Sequence, residues 1–342
     1  MHSSGVSTPG SAPSVTVTHD TLVRAVERAL QAPSVHNTQP WRWRIGDDTI
    51  DLLADRTRHL PSTDPDGRDL VISCGAALHH LRVALADLRV ATSTDRLPDP
   101  ENSALMAAVH VRAGTADEHD AALAPAIEER RTDRRAMAAA PTAAQLRQLV
   151  RQAARQGATL HPVQGQAAQA RLLAILDEAG DRQRHAPGYP AELAIWTRRY
   201  PGGRDGIPPE QRTAQAGTHS LREFPAGRLP GAPLPRSPFE DGSTIAVLAT
   251  GHDDVEDWLR AGEATSAVLL AAQRLGLATT PLSQAVEVEH TRRQLAAAAL
   301  GISGYPQLLI RVGHRSEHAA DLPGTPRRTL RSVLVGRGGE WR

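Results

Sequence analysis

Across residues 18–31 the apolar positions Leu22, Val23, Val26 and Leu30 recur at helical spacing, which predicts an amphipathic helix. The period then shortens to two. Trp41–Ile45 and residues 50–54 alternate as strands, and Gly46-Asp47-Asp48 between them suits a hairpin turn. Residues 70–88 predict a long helix with Leu78, Leu81, Leu85 and Leu88 on one face, followed by a strand near 107–111. Helices are expected over 122–129 and 142–156, the second capped by Thr142, then a strand over 159–163 and a helix over 167–180. From 181 to 239 periodicity fades into Pro, Gly and Arg, apart from a short helix near 191–198. So long a weakly patterned stretch inside a regular chain predicts either a disordered excursion or a lid. Order returns with a strand over Thr244–Thr250, a helix over 258–275 ending at Gly276, and a loop over 279–284. A helix near 290–300 and a strand over 307–312 follow.

The two ends of this pattern echo each other. Gly75-Ala76-Ala77-Leu78 leads one Leu- and Ala-rich helix and Gly262-Glu263-Ala264-Thr265 leads another. Two related α+β halves fused in one chain would account for this. The expected division is 18–115 for the first half and 116–342 for the second, with 181–239 as its lid-like insertion. Residues 1–17, rich in Ser, Pro, Gly and Thr, predict a disordered leader and not a signal peptide.

Composition narrows the chemistry. The chain has 342 residues and a formal charge of +1, and 3% of its residues are aromatic, so neither nucleic acid nor an anionic membrane is an expected partner. No run approaches the roughly 18 apolar residues that span a bilayer. A cytoplasmic protein is expected. Every one of the 39 basic residues is Arg, which excludes Schiff-base chemistry and a Walker lysine. Cys74 is the one cysteine, so no intrachain disulfide or all-cysteine metal site can form, and a small packing residue is its expected role. His79-His80 lacks i,i+4 spacing, and the Asp64, Asp66, Asp69 group lacks a closing Glu, so no metal is assigned.

Two segments carry candidate chemistry. Residues 32–41 read Ala-Pro-Ser-Val-His-Asn-Thr-Gln-Pro-Trp. Two prolines frame hydroxyl and amide groups in a helix-to-strand connection, suited to a flat ligand rich in heteroatoms. The run Arg130-Arg131-Thr132-Asp133-Arg134-Arg135 offers guanidinium and hydroxyl donors matched to phosphate, although a solvated charge run has the same composition. Arg327 and Arg328 form a second basic pair after Pro323-Gly324-Thr325-Pro326.

These segments together resemble the nitroreductase family of FMN proteins. The decapeptide resembles its Pro-Ser-x-x-Asn-x-Gln-Pro-Trp motif, which touches the isoalloxazine ring from across a dimer interface. That resemblance implies ring contacts from Pro33, Ser34, Val35, Asn37 and Gln39. It also implies that Arg130 and Thr132 hold the FMN phosphate, Arg134 faces the N1/O2 edge, and Arg327 and Arg328 clamp the phosphate. The segment Pro281-Leu282-Ser283-Gln284 would pass the N5 edge, with backbone N–H groups after Pro281 as the donors. Each motif occurs once, so the chain resembles the Acg-type tandem branch, a single-chain pseudo-dimer with one composite FMN site. The implied fold is α+β and nitroreductase-like, in two related halves.

The implied activity is transfer of a hydride from NAD(P)H through the flavin to a nitro compound, quinone or similar small-molecule acceptor. The flavin does the chemistry, so no catalytic side chain is assigned. The rival reading is a flavin store or sensor with a lidded site and little turnover. A third is a cofactor-free structural protein. A monomeric pseudo-dimer is expected.

Overall fold

The computed structural model describes residues 17–200, 202–212, 222, 224–225, 227–229, 242–296 and 302–336. The expected leader therefore lies outside the described residues except for Val17, as does much of 213–241.

Thr18 caps helix α1 (His19–Ala29) by accepting from the Thr21 N–H. After the decapeptide come β1 (Trp41–Ile45) and β2 (Thr49–Ala54), the expected hairpin. Trp41 and Trp43 point inward on β1 while Arg42 and Arg44 alternate outward. Helix α2 (Arg68–Asp87) follows, then β3 (Ala91–Arg96) and β4 (Leu105–Arg112). Two short helices, α3 (Glu118–Ala121) and α4 (Ala126–Glu129), replace the single expected helix over 122–129. Thr142 and Gln145 form a reciprocal capping box on α5 (Ala143–Arg155), which leads into β5 (Thr159–Pro162). Next are α6 (Gln166–His185) and α7 (Tyr189–Thr197), then β6 (Thr244–Thr250) and α8 (Val255–Arg274). The chain ends through β7 (Leu277–Leu282), α9 (Gln284–Glu287), α10 (Glu289–Ala296), β8 (Tyr305–His314) and α11 (Leu330–Val333).

The strands form two four-stranded antiparallel sheets, ordered β1-β2-β4-β3 and β5-β6-β8-β7. The same topology thus occurs twice, and the repetition extends to detail. The β2–β4 register shifts at Leu52/Leu53 and the β6–β8 register at Leu248/Ala249, so each half carries one irregularity at the matching strand pair. α2 and α8 are both 20 residues long, with Gly75 and Gly262 each at the eighth position.

Those two glycines make the junction between the halves. A Cβ on Gly75 would lie 2.0 Å from the Leu259 carbonyl oxygen, and one on Gly262 would lie 2.0 Å from that of Ile72. The helices cross backbone to backbone, which only glycine permits at this separation. One continuous core results, holding Leu78, Leu81 and Leu85 of α2 with Leu259, Val268 and Leu270 of α8. α2 has the length and apolar composition to cross a membrane, which the count of apolar runs in the sequence did not find. Its flanks are packed by both halves, and nearly all of it is buried.

Two segments cross between the halves. β1 is a sheet edge, and Val335 donates its N–H to the Trp43 carbonyl there, 2.9 Å away, so the C-terminal arm lies on the first half. Residues 279–282, expected as a loop, instead continue β7, whose outer edge takes a parallel bridge from Thr132 to Thr279. Its Thr-Thr-Pro composition hides the strand from pattern reading.

Candidate functional site

The decapeptide is held in a backbone shape that few residues adopt. His36, Asn37 and Gln39 have φ of 46°, 54° and 51°, in the left-handed region. Side-chain and backbone bonds over-determine this shape. Ser34 Oγ accepts the Gln39 N–H (2.9 Å), and Ser73 Oγ on α2 accepts the Val35 N–H (3.2 Å). Asn37 Nδ2 donates to the carbonyls of Gly206 (3.0 Å) and Pro326 (3.1 Å). Gln39 Nε2 donates to the Arg204 carbonyl (2.9 Å), and its Oε1 accepts the Arg328 N–H (2.7 Å). The two amides therefore fasten the C-terminal arm and residues 204–206 to the loop.

The arm delivers Arg327 to Arg130 and Arg131. Arg327 donates to Asn37 Oδ1 (3.1 Å) and the Gln31 carbonyl (3.2 Å), and Arg131 to the carbonyls of Glu128 (2.7 Å) and Arg130 (2.9 Å). Each of these acceptors is neutral. Arg130 is buried, and its Nε and Nη1 have no partner; the Nε atoms of Arg131 and Arg327 are likewise buried and unpartnered. Burial, with Arg130 and Arg131 alongside, pushes Arg327 down to about 9. Burial and Arg131 push Arg130 to about 10. His80 on α2 lies under the same charges, and burial followed by Arg130 pushes it to about 3. Guanidinium donors gathered away from water without a carboxylate form a cradle for an anion.

Arg328 does different work. It reaches Asp55 (3.3 Å) and the Gln39 carbonyl (3.1 Å). Asp55 is buried and also pairs with Arg42 at 3.1 Å. Thr132 sits beside β7, where the Asp133 N–H donates to the Thr279 carbonyl (2.9 Å) and Thr280 Oγ1 to the Asp133 carbonyl (2.5 Å). The run from Arg130 to Arg134 thus lies along the open edge of β7.

At the far end of that run Arg134 donates to the Gln211 carbonyl (2.9 Å), and its guanidinium lies 5.1 Å from the centre of the Phe224 ring. Burial and Arg222 push Arg134 down to about 10. Phe224 also meets the His36 ring edge-on at 6.0 Å. Pro281 and Leu282 end β7 next to this group. Ser283 Oγ donates to Glu287 Oε1 (2.5 Å), whereas Gln284 turns away to Gln183 Oε1 (3.1 Å). Arg131, His36, Arg222, Phe224 and Glu287 join the residues expected from the sequence. Arg131, in the Arg run, and His36, in the decapeptide, had a local signal there; Arg222, Phe224 and Glu287 had none.

Cys74 is buried in α2 and donates to the Pro40 carbonyl (3.3 Å), and burial pushes its thiol up. It packs the loop against α2, as expected from its apolar surroundings.

The residues brought together here come from the decapeptide and C-terminal arm on one side and from the Arg130–Arg134 run and β7 on the other. The chain is 39% identical over 337 residues to a Mycobacterium tuberculosis protein provisionally named NAD(P)H nitroreductase, covering 95% of each. It is 34% identical over 328 residues to that organism's provisionally named NAD(P)H nitroreductase Acg, covering 94% of this chain and 97% of the relative. The chain belongs to the Acg-type nitroreductase family. No family model matches it. Among solved structures, Mycobacterium smegmatis NfnB in complex with NADPH overlaps 61% of the chain at 15% identity and a TM-score of 0.39, covering 96% of NfnB. A Bacteroides fragilis nitroreductase with bound FMN overlaps 58% at 13% identity and 0.37, covering 90% of that protein.

In this Acg-type chain the position related to the site by the internal repeat is built differently. The α5–β5 connection is Gln156-Gly157-Ala158, with no room for a decapeptide. Arg96, which ends β3 as Leu282 ends β7, pairs with the fully buried Glu263 at 2.7 Å, and Arg82 joins at 2.9 Å. Arg82 also reaches Asp120 at 3.3 Å. Those cations are neutralised by carboxylates; among the described residues Arg130, Arg131 and Arg327 have no carboxylate partner.

Proposed function

We propose that the chain binds one FMN and acts as an NAD(P)H-dependent oxidoreductase on a small acceptor such as a nitro compound or quinone. The observation that carries the reading is the set of buried, unpartnered N–H groups on Arg130, Arg131 and Arg327, which fits a phosphate dianion. Thr132 adds a hydroxyl beside them. Arg134, at the other end of the run, supplies a cation to the ring end, where it would favour negative charge on the flavin. Pro33, Ser34, Val35, Asn37 and Gln39 would shape one wall. Pro281, Leu282, Ser283 and the backbone of Gln284 would shape the opposite edge. Arg328 would serve indirectly, by fixing Gln39 and Asp55.

When bound, FMN would supply hydride transfer through its N5 atom. The protein's own share is to hold the phosphate, orient the ring and restrict water. The halves would divide near residue 115, and the described part of 181–239 would cover the ring end. One observation favours the second reading, a flavin store or sensor: Gln211 and Phe224 already lie on Arg134.

Anaerobic addition of NADPH to the yellow protein separates the two readings. The oxidoreductase reading predicts bleaching of the visible flavin band and its recovery when 1,4-benzoquinone is added. A flavin that stays oxidised would leave the store.

A further inference from the structure

His80 is fully buried in α2, and its neighbours fix which ring nitrogen carries the hydrogen. Nδ1 lies 3.0 Å from the Ala76 carbonyl one turn back, and a carbonyl only accepts, so Nδ1 donates. Ser266 Oγ of α8 lies 2.8 Å from the same nitrogen and 2.7 Å from Nδ1 of His79. It therefore accepts from His80 and passes its own hydrogen to His79. The neutral His80 ring is left with a lone pair on Nε2, buried and without a partner among the described residues. The charges acting on it come from three other elements. Arg130 follows α4, Arg327 lies on the C-terminal arm and Arg28 on α1; after burial, these push His80 down to about 3. Arg28 is balanced by Asp87 (2.6 Å) and Glu128 (2.8 Å). The unbalanced charge on His80 is thus that of the cradle itself. His79 instead stands near Asp120, 3.8 Å away. Five residues after Gly262, where α2 has His80, α8 has Ala267, so the repeat supplies such a ring only once.

We propose that His80 belongs to the phosphate site and takes a proton from solvent on Nε2 as the phosphate settles against Arg130, Arg131 and Arg327, so that Nε2–H becomes a further donor to it. The proposal rests on the flavin reading above. A lone pair repels a dianion, whereas an imidazolium N–H makes a charge-assisted bond to it. Without the dianion the free guanidinium groups oppose a further positive charge on His80; with it the local field changes sign. Phosphate and proton therefore favour each other's binding. FMN enters as a dianion at about pH 7.5, because its second phosphate ionisation lies near about 6. The arginines contribute little to the uptake, because Arg327 at about 9 and Arg130 at about 10 are already charged there. His80 is raised in the complex, so affinity for FMN is greatest at neutral pH and falls as pH rises. Riboflavin lacks the phosphate and neither drives the uptake nor responds to it.

Calorimetric titration of the whole apoprotein in HEPES and in Tris at about pH 7.5 counts the proton, because the buffers differ in ionisation heat. About one proton should be taken up per FMN and none per riboflavin, and from about pH 7 to 8 affinity for FMN should fall roughly five- to tenfold. H80L removes the donor and should weaken FMN roughly tenfold or more while leaving riboflavin unchanged. H80Q keeps an N–H at similar reach but cannot titrate. It should hold FMN within roughly tenfold of the parent and lose both the uptake and the pH dependence; it also serves should H80L not fold. FMN bound without proton uptake overturns the role of His80 and leaves the flavin reading standing. Uptake that survives in H80Q does the same, as does an H80L that weakens FMN and riboflavin equally. A chain that binds no FMN, or binds it no better than riboflavin, overturns the phosphate site and the role of His80 together.

Discussion

Arg327 and Arg328 are adjacent, yet their guanidinium groups face different partners. Arg327 joins Arg130 and Arg131 with neutral acceptors, whereas Arg328 is committed to Asp55 and the Gln39 carbonyl. Replacing Arg130 and Arg327 together with Ala removes two charge-assisted contacts of about 1.5–3 kcal/mol each, so FMN affinity should fall at least about a hundredfold. Riboflavin, which lacks the phosphate, should bind parent and variant alike; equal losses for both ligands would place the arginines elsewhere. R328A should instead lower stability by about 1.5–3 kcal/mol in urea unfolding while retaining the preference for FMN over riboflavin. The sequence made the right residue types visible here. It could not separate Arg327 from Arg328, because direction depends on which neighbour finds a buried carboxylate. Glu287 and Arg222 were illegible for the same reason: they are 65 residues apart and meet only through the fold.

At the scale of elements, the close approach of α2 and α8 makes sharp demands. A Cβ at Gly75 or Gly262 would overlap backbone, which forces the helices apart. G75A or G262A should cost about 1–3 kcal/mol or more, read as a lower urea midpoint; an unchanged midpoint would mean that the helices separate freely. E263Q should cost about 3–5 kcal/mol by breaking a buried charge group shared with Arg82 and Arg96. Asp253 binds α8 to α10 and β8 through Trp258, Arg292 and Gln307. Burial alone would raise its carboxyl, but bonds from Arg292, Trp258 and Gln307 outweigh that and hold it down at about 2. A depressed acid stabilises above its unfolded value, so the advantage over D253N should be full above roughly pH 5 and vanish as pH falls towards 2. A gap that widens on acidification would reverse the assignment.

Long amphipathic elements were legible from period alone, and Thr142 and Gly276 marked their ends correctly. β3 is invisible to pattern reading because Ala-Thr-Ser-Thr-Asp-Arg is a polar, half-exposed edge strand with no buried alternation. β7 reads as a loop for a related reason, its Thr-Thr-Pro centre. α6 runs on to His185, beyond the predicted end at residue 180, because no proline or cap intervenes there.

In the whole molecule, duplication and asymmetry coexist. Two sheets of one topology meet through two matched helices, so the two halves share one interface within a single chain. Only one side of that interface retains the decapeptide, the free arginines and the crossing C-terminal arm. The other is filled by the Arg82, Arg96, Glu263 and Asp120 pairs. The sequence hinted at this through motifs that occur once each, and the fold explains it through which cations are neutralised. The central claim is one phosphate-anchored flavin per chain. Fluorescence titration of the apoprotein with FMN and with riboflavin tests it most directly. The account predicts an end point of one FMN per chain and riboflavin binding weaker by at least about a hundredfold. An end point of two, no binding, or equal affinity for both flavins would contradict it.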